Sequence, residues 1–321
     1  LVRRPEPEET TFSDETLQIA AQIGAEEIVS IYPGLDPANL RGIRRRVESW
    51  GLKLGVIERY VPTLDFIHGT EGAARQIEDF KTLIRNLGEE GVPVLCYSWM
   101  PDDDWQRTAL DVKERGGALV TEFDGRDPES FRSVTGFDYA AATPTPASKL
   151  WDNLEHFLNE VIPVAEDAGV RLAMHPDDPP LPSLRGQDRI FFNADAFDRL
   201  VTLVDSPANG ICFCQGSFAS CADDYDIPAL IRRLAPHITF AHFRDVVGKV
   251  PHFREAFQDT GKTDMAACMK AYLESGLDVP IRPDHVPTLV GETNEHPGYH
   301  LLGRLWAVGY MRGLREAVRL G

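Results

Sequence analysis

The sequence predicts a single (β/α)8 TIM barrel, with residues 1–321 forming one domain. Three observations carry this reading. The chain of 321 residues has the length of one such barrel. Strand-like and helix-like segments alternate along it, which is the pattern of a parallel sheet wrapped in helices. Residue types that bind divalent metals recur at the ends of successive strands, as His175, Cys214, His242 and Asp284. In a parallel barrel all strand C-termini open on one face, so these four side chains are expected to converge. No Gly-x-Gly-x-x-Gly or phosphate loop follows any strand, which speaks against a doubly wound nucleotide-binding sheet.

Taken in order, residues 1–5 give a weak first strand and 14–23 have helical spacing. The β-branched run at 26–31 is punctuated by Pro33-Gly34. A basic amphipathic helix over 36–50 stops at Gly51, and a strand follows at 54–58. Ile77, Phe80, Leu83, Ile84 and Leu87 recur at the three-to-four spacing of a buried helix face within 72–87, and 92–99 is a buried strand. From 101 to 146 the rhythm breaks into a long insertion with a possible short strand at 118–123; a loop of this length reads as a functional lid. It resumes with a helix over 149–168, closed by Gly169, and the strand that ends at His175. Prolines in Met174-His175-Pro176-Asp177-Asp178-Pro179-Pro180 cut that strand off, because they cannot join a sheet ladder. Helices at 195–204, 227–234 and 264–275 then lead to strands ending at Cys214, His242 and Asp284, and 301–320 forms the closing helix. Counting the weak first one, the strands number eight.

Composition narrows the function. Hydrophobic residues at 43% and charged residues at 26% describe a soluble globular chain. A net charge of −17 speaks against nucleic acid and anionic membrane as partners, and leaves room for a small anion bound by local arginines and a metal. Such acidity is also compatible with a salt-rich cytoplasm. The five cysteines show no disulfide spacing, so a reduced, cytoplasmic compartment is expected. The first residues lack the apolar core of a signal peptide, and no apolar run approaches the ~20 residues that span a bilayer. The sequence starts at Leu1 rather than Met, which suggests that a few residues precede it or are removed.

With these segments in view, the chain from about Gly24 onward resembles the mannonate dehydratase family. The resemblance rests on the His175 motif quoted above, Phe213-Cys214-Gln215-Gly216-Ser217, Phe240-Ala241-His242-Phe243-Arg244, Arg282-Pro283-Asp284-His285 and Pro297-Gly298-Tyr299-His300-Leu301-Leu302-Gly303-Arg304. Cys96-Tyr97-Ser98-Trp99-Met100-Pro101 matches more loosely. Together these pieces are specific where none alone would be. The resemblance implies a xylose-isomerase-like barrel, a divalent metal (commonly Mn2+, with Fe2+ or another transition ion as alternatives) and conversion of D-mannonate to 2-keto-3-deoxy-D-gluconate and water. It implies His175, Cys214, His242 and Asp284 as metal ligands, the four reached from the strand ends, and Arg244, His285 and Tyr299 as catalytic or substrate-binding positions. The chain departs from the family pattern at Ser98 (an Asn in the family), at Arg254 and Gln258 (histidines), at Val286-Pro287 (Gly-His) and in a much shortened helical insertion before the helix that precedes the His175 strand.

The residues suit that chemistry. Dehydrating a 2,3-dihydroxy acid needs a base for the C2 proton, an acid for the departing C3 hydroxyl and positive charge near the carboxylate. His285 and Tyr299 are the candidate acid and base, and a thiolate ligand disfavours Mg2+ or Ca2+. Arg244 lies two residues beyond His242, on the same strand face, and is expected to clamp a carboxylate. Glu58, Ser98, Arg254 and Gln258 are expected near the substrate, whereas His68, His156 and His237 read as structural or surface residues. Cys212 and Cys214 should face one way, with Cys212 about 6–7 Å deeper in the barrel. The expected partners are a small anionic sugar acid and further copies of the chain in a homo-oligomer. Two other readings fit the same residues: an isomerase or epimerase of a related sugar acid, and a non-catalytic sugar-acid-binding protein.

Overall fold

The computed structural model describes residues 12–102, 105–126, 131 and 143–320. The expected first strand at residues 1–5 lies outside them. The N-terminal half contributes α1 (Asp14–Gln22), β1 (Glu27–Ser30), α2 (Pro37–Glu48), β2 (Lys53–Ile57), α3 (Leu64–His68), α4 (Ala73–Glu89) and β3 (Val94–Ser98). The insertion carries β4 (Ala109–Lys113) and β5 (Leu119–Asp124). Then come α5 (Ala147–Ala168), β6 (Arg171–His175), the short β7 (Ser183–Leu184) and β8 (Gln187–Asp188), α6 (Ala194–Leu203), β9 (Asn209–Cys214), α7 (Gln215–Ala219), α8 (Ile227–Leu234) and β10 (Ile238–Phe243). The chain finishes with β11 (Val246–Lys249), β12 (His252–Glu255), α9 (Met265–Glu274), β13 (Ile281–Pro283) and α10 (Leu301–Leu320).

Among the described residues, seven parallel strands form a nearly closed barrel in the order β1-β2-β3-β6-β9-β10-β13. Sequence alternation decides which side chains fill it. Val56, Val94, Cys96, Ala173, Cys212 and Phe240 point inward and form the small central cluster. Their strand neighbours, such as Leu172, Met174 and Phe213, pack outward against the helices in the larger core. Helix starts follow local chemistry: Asp36, Asn193, Asp226 and Asp264 each accept a hydrogen bond from the first turn of the following helix. On α4 the five apolar residues singled out by their spacing are all buried.

Register sets the site. His242 on β10 lies opposite Cys214 on β9 and Arg282 on β13, while Ser98 on β3 lies opposite His175 on β6. The strand-end residues therefore share one layer at the C-terminal mouth. A second, antiparallel sheet in the order β11-β12-β5-β4 joins the insertion to the segment after β10. The insertion is thus strand-built over part of its length. His68 joins its two ends, with Nε2 2.7 Å from the Pro101 carbonyl and Nδ1 2.7 Å from Thr145 Oγ1. Among the described residues, no helix is long and apolar enough to cross a membrane.

Candidate active site

The four strand-end residues meet. Cys214 Sγ, a nitrogen of His242 and an oxygen of Asp284 all lie within 4.8 Å of one another. His175 joins through its ring, 4.9 Å from that of His242, and its donor atom groups within 4.8 Å with those of Cys212 and His242. Its Nδ1 is 2.6 Å from the Pro176 carbonyl, which orients the ring. His242 Nε2 faces Glu58 Oε1 at 2.9 Å, whereas its buried Nδ1 has no hydrogen-bond partner and stands 3.5 Å from Asp284 Oδ2.

Charge in the cluster fits a divalent cation. Burial opposes ionisation of the Cys214 thiol, yet the neighbouring His175 and His242 and the charge of Arg244 hold it well below the ordinary thiol value. Burial likewise opposes ionisation of Asp284, and His285, Arg282 and His242 bring it well below the usual carboxylate range. Burial would keep the two imidazoles neutral, but Cys214 and Cys212 raise His175 to about 9, and Cys212, Glu58 and Asp284 raise His242 well above its ordinary value. A thiol, a carboxylate and two imidazoles gathered in this way form a donor set that a dication binds by displacing protons. The orphaned His242 Nδ1 beside a thiolate and a carboxylate is the donor such an ion would take, with Glu58 fixing the opposite ring nitrogen.

Next to this cluster sits a proton-handling pair. His285 Nε2 is 3.0 Å from the Tyr299 hydroxyl, which is 3.4 Å from Asp284 Oδ1. His285 Nδ1 is 3.1 Å from Glu255 Oε1 and 3.2 Å from Arg107 Nη2. His285 adopts φ of +45°, unusual for a side chain with a Cβ, and its ring lies 4.5 Å from that of Trp105. Behind the pair runs a buried ion network. Arg107 donates to both oxygens of Asp178 at 2.8 and 3.0 Å and to Glu255 at 2.6 Å. Arg244 donates to Glu255 at 2.8 and 2.6 Å, to Asp178 at 2.8 Å and to Ser217 at 3.3 Å, and its Nη1 is 3.6 Å from Cys214 Sγ. Gly216 makes room for it, since a Cβ there would stand 2.5 Å from Arg244 Cδ.

The other expected positions are placed as follows. Arg244 is fully buried, and its described partners are Glu255, Asp178, Ser217 and Cys214. Arg254 is turned away: on β12 its neighbour Glu255 points into the network, alternation sends Arg254 to the other face, and there it pairs with Glu114. Gln258 is buried and donates to the Phe243 carbonyl at 3.5 Å, with no described contact to the metal-type ligands. Ser98 ends β3 beside His175. Glu58 belongs to the cluster through His242, Arg282 and Cys96. Cys212 is in the inner core as expected, but it also lies within 4.8 Å of donor atoms of His175 and His242, closer to the cluster than its strand position suggested. Sequence reading missed Glu255, Arg107 and Trp105 as parts of the site. The last two sit in the insertion, where no periodicity indicates which side chains turn inward.

Comparison with known proteins agrees with this geometry. The D-mannonate dehydratase (UxuA) family profile matches residues 16–320. Mannonate dehydratase 2 of Halalkalibacterium halodurans is 35% identical over 298 residues, covering 86% of each chain. The crystal structure of mannonate dehydratase from Streptococcus suis serotype 2 superposes with a TM-score of 0.86 at 32% identity, covering 95% of this chain and 91% of that one. An L-ribulose 3-epimerase shares the fold at 16% identity and a TM-score of 0.62, over 97% of this chain and 92% of that one. A family profile spanning almost the whole chain, carried on the barrel and cluster described above, places this chain in the D-mannonate dehydratase family.

Proposed function

We propose that this chain is a metal-dependent hydro-lyase that converts D-mannonate to 2-keto-3-deoxy-D-gluconate and water. The observation that carries the reading is the His285–Tyr299 pair, 3.0 Å apart and bordering the Cys214–His242–Asp284 cluster, in a chain of this family. His175, Cys214, His242 and Asp284 would hold the ion, and the thiolate favours Mn2+, Fe2+ or a similar transition ion over Mg2+ or Ca2+. Such an ion supplies the positive charge that steadies the carboxylate as C2 gives up its proton.

The protein's own groups handle the protons. With the Nδ1 proton of His285 donated to Glu255, Nε2 is left to accept from the Tyr299 hydroxyl. This pair takes the C2 proton and supplies one to the C3 hydroxyl, which leaves as water; the enol that remains becomes the 2-keto-3-deoxy acid. Trp105 covers the His285 ring and limits water at that face. The five free cysteines, all buried, fit a reduced cytoplasmic setting. Steady-state turnover of D-mannonate and its C2 and C4 epimers with saturating Mn2+ tests the reading. A 2-keto-3-deoxy acid formed from D-mannonate is the expected result. Turnover of another hexonate or uronate with none from D-mannonate, or an epimer released without loss of water, would overturn it.

A further inference from the structure

The arginine expected to clamp a carboxylate is fully engaged inside the protein, but another is not. Arg304 lies in the first turn of α10, and its guanidinium carbon is 5.4 Å from the centre of the Tyr299 ring. Arg59 and Arg282 approach the same ring at 5.0 and 5.9 Å. Arg282 is neutralised locally by Glu58 at 2.9 Å and Asp284 at 3.1 Å. The part-buried Arg304 side chain makes no hydrogen bond or ion pair among the described residues. Its mount is close-packed, because a Cβ on the preceding Gly303 would stand 2.2 Å from the Pro287 carbonyl oxygen, on the loop that follows His285.

A guanidinium held beside two others, out of most of the solvent and without an anion, is an unfavourable arrangement. Burial first, then the charge of Arg282, lowers Arg304 to about 10, and Tyr299 and Asp284 offset this only in part. A neutral ligand does not relieve such a site, whereas a planar carboxylate fits the free fork in two parallel hydrogen bonds. Position agrees with charge. The Tyr299 ring under Arg304 carries the hydroxyl that borders both His285 and Asp284, and C2 of a sugar acid is bonded directly to its carboxylate carbon.

We propose that Arg304 is the carboxylate clamp of the sugar-acid site, holding the substrate's acid end over Tyr299 so that C2 faces the His285–Tyr299 pair. The proposal rests on the sugar-acid reading and is tested without turnover. Binding of D-gluconate, a hexonate, is measured by calorimetry to the Mn2+-loaded wild type, Arg304→Gln and Arg304→Lys, with metal content and melting temperature followed in parallel. The expected result is roughly 10- to 100-fold weaker hexonate binding in the Gln variant, partial recovery in the Lys variant, and unchanged metal content and melting temperature in both. Wild-type affinity in the Gln variant, or an equal loss in Gln and Lys, would overturn the clamp. If hexonate binding depends on Arg304 while D-mannonate yields no 2-keto-3-deoxy acid, the clamp stands and the dehydratase reading fails.

Discussion

At the scale of single residues, the two cysteines of β9 show how position decides role. Both are fully buried and face the barrel interior. Cys214 is an anionic member of the metal-type cluster, so Cys214→Ala is expected to abolish tight Mn2+ binding in equilibrium dialysis. Cys212 packs among Val56, Cys96, Ala173 and Phe240, so Cys212→Ala should remove little more than packing and cost about 1–2 kcal/mol in urea unfolding, with Mn2+ still bound. Loss of metal in the Cys212 variant would show that its closeness to His175 and His242 is functional. Glu58 faces His242 Nε2, so Glu58→Gln should weaken Mn2+ affinity roughly 10- to 100-fold. An unchanged affinity would exclude it as the orienting group. The positions of His175, Cys214, His242 and Asp284 were legible in the sequence because each comes at or next to the close of a short strand-like run. The partners that tune them were not, since Glu58 meets His242, and Glu255 meets His285, only through the closure of the barrel.

At the scale of elements, alternation along β12 and the fold of the insertion decide what reaches the site. Residue types suggested Arg254, a position where the family pattern differs, but strand geometry selects its neighbour Glu255. The insertion contributes Arg107, fully buried between Asp178 and Glu255, with Nη2 3.2 Å from His285 Nδ1. Removing one member of a buried network strands the others, so Arg107→Ala is expected to cost about 3–5 kcal/mol of stability and to slow turnover. Arg254→Ala breaks a part-exposed pair with Glu114 and should cost about 1 kcal/mol or less. Comparing the two variants by urea unfolding checks the assignment; equal effects would mean that the inward and outward faces of this sheet are wrongly identified. Eight helices read from apolar spacing and caps appear within a few residues of their expected limits. Strand β4 did not announce itself, because its partly exposed ALDVK carries no apolar run and its pairing with β5 spans a turn of glycines.

At the scale of the whole molecule, the parallel barrel turns a sequence pattern into a site. Side chains spread from residue 175 to residue 284 come together because each stands at the same end of its strand. Within a chain of net charge −17, Arg59, Arg282 and Arg304 gather around the Tyr299 ring, and Glu58 and Asp284 pair with Arg282. His175, Cys214, His242 and Asp284 are proposed to hold together one divalent ion on which dehydration depends. That proposal is tested by measuring Mn2+ content and D-mannonate turnover on the same samples, before chelation, after exhaustive chelation and after reloading, in the wild type and in Asp284→Asn. The expected result is one ion per chain, activity that falls and returns in step with bound Mn2+, and neither metal nor turnover in the variant. Turnover that survives complete removal of metal, or a full complement of Mn2+ in the Asp284 variant, would contradict it.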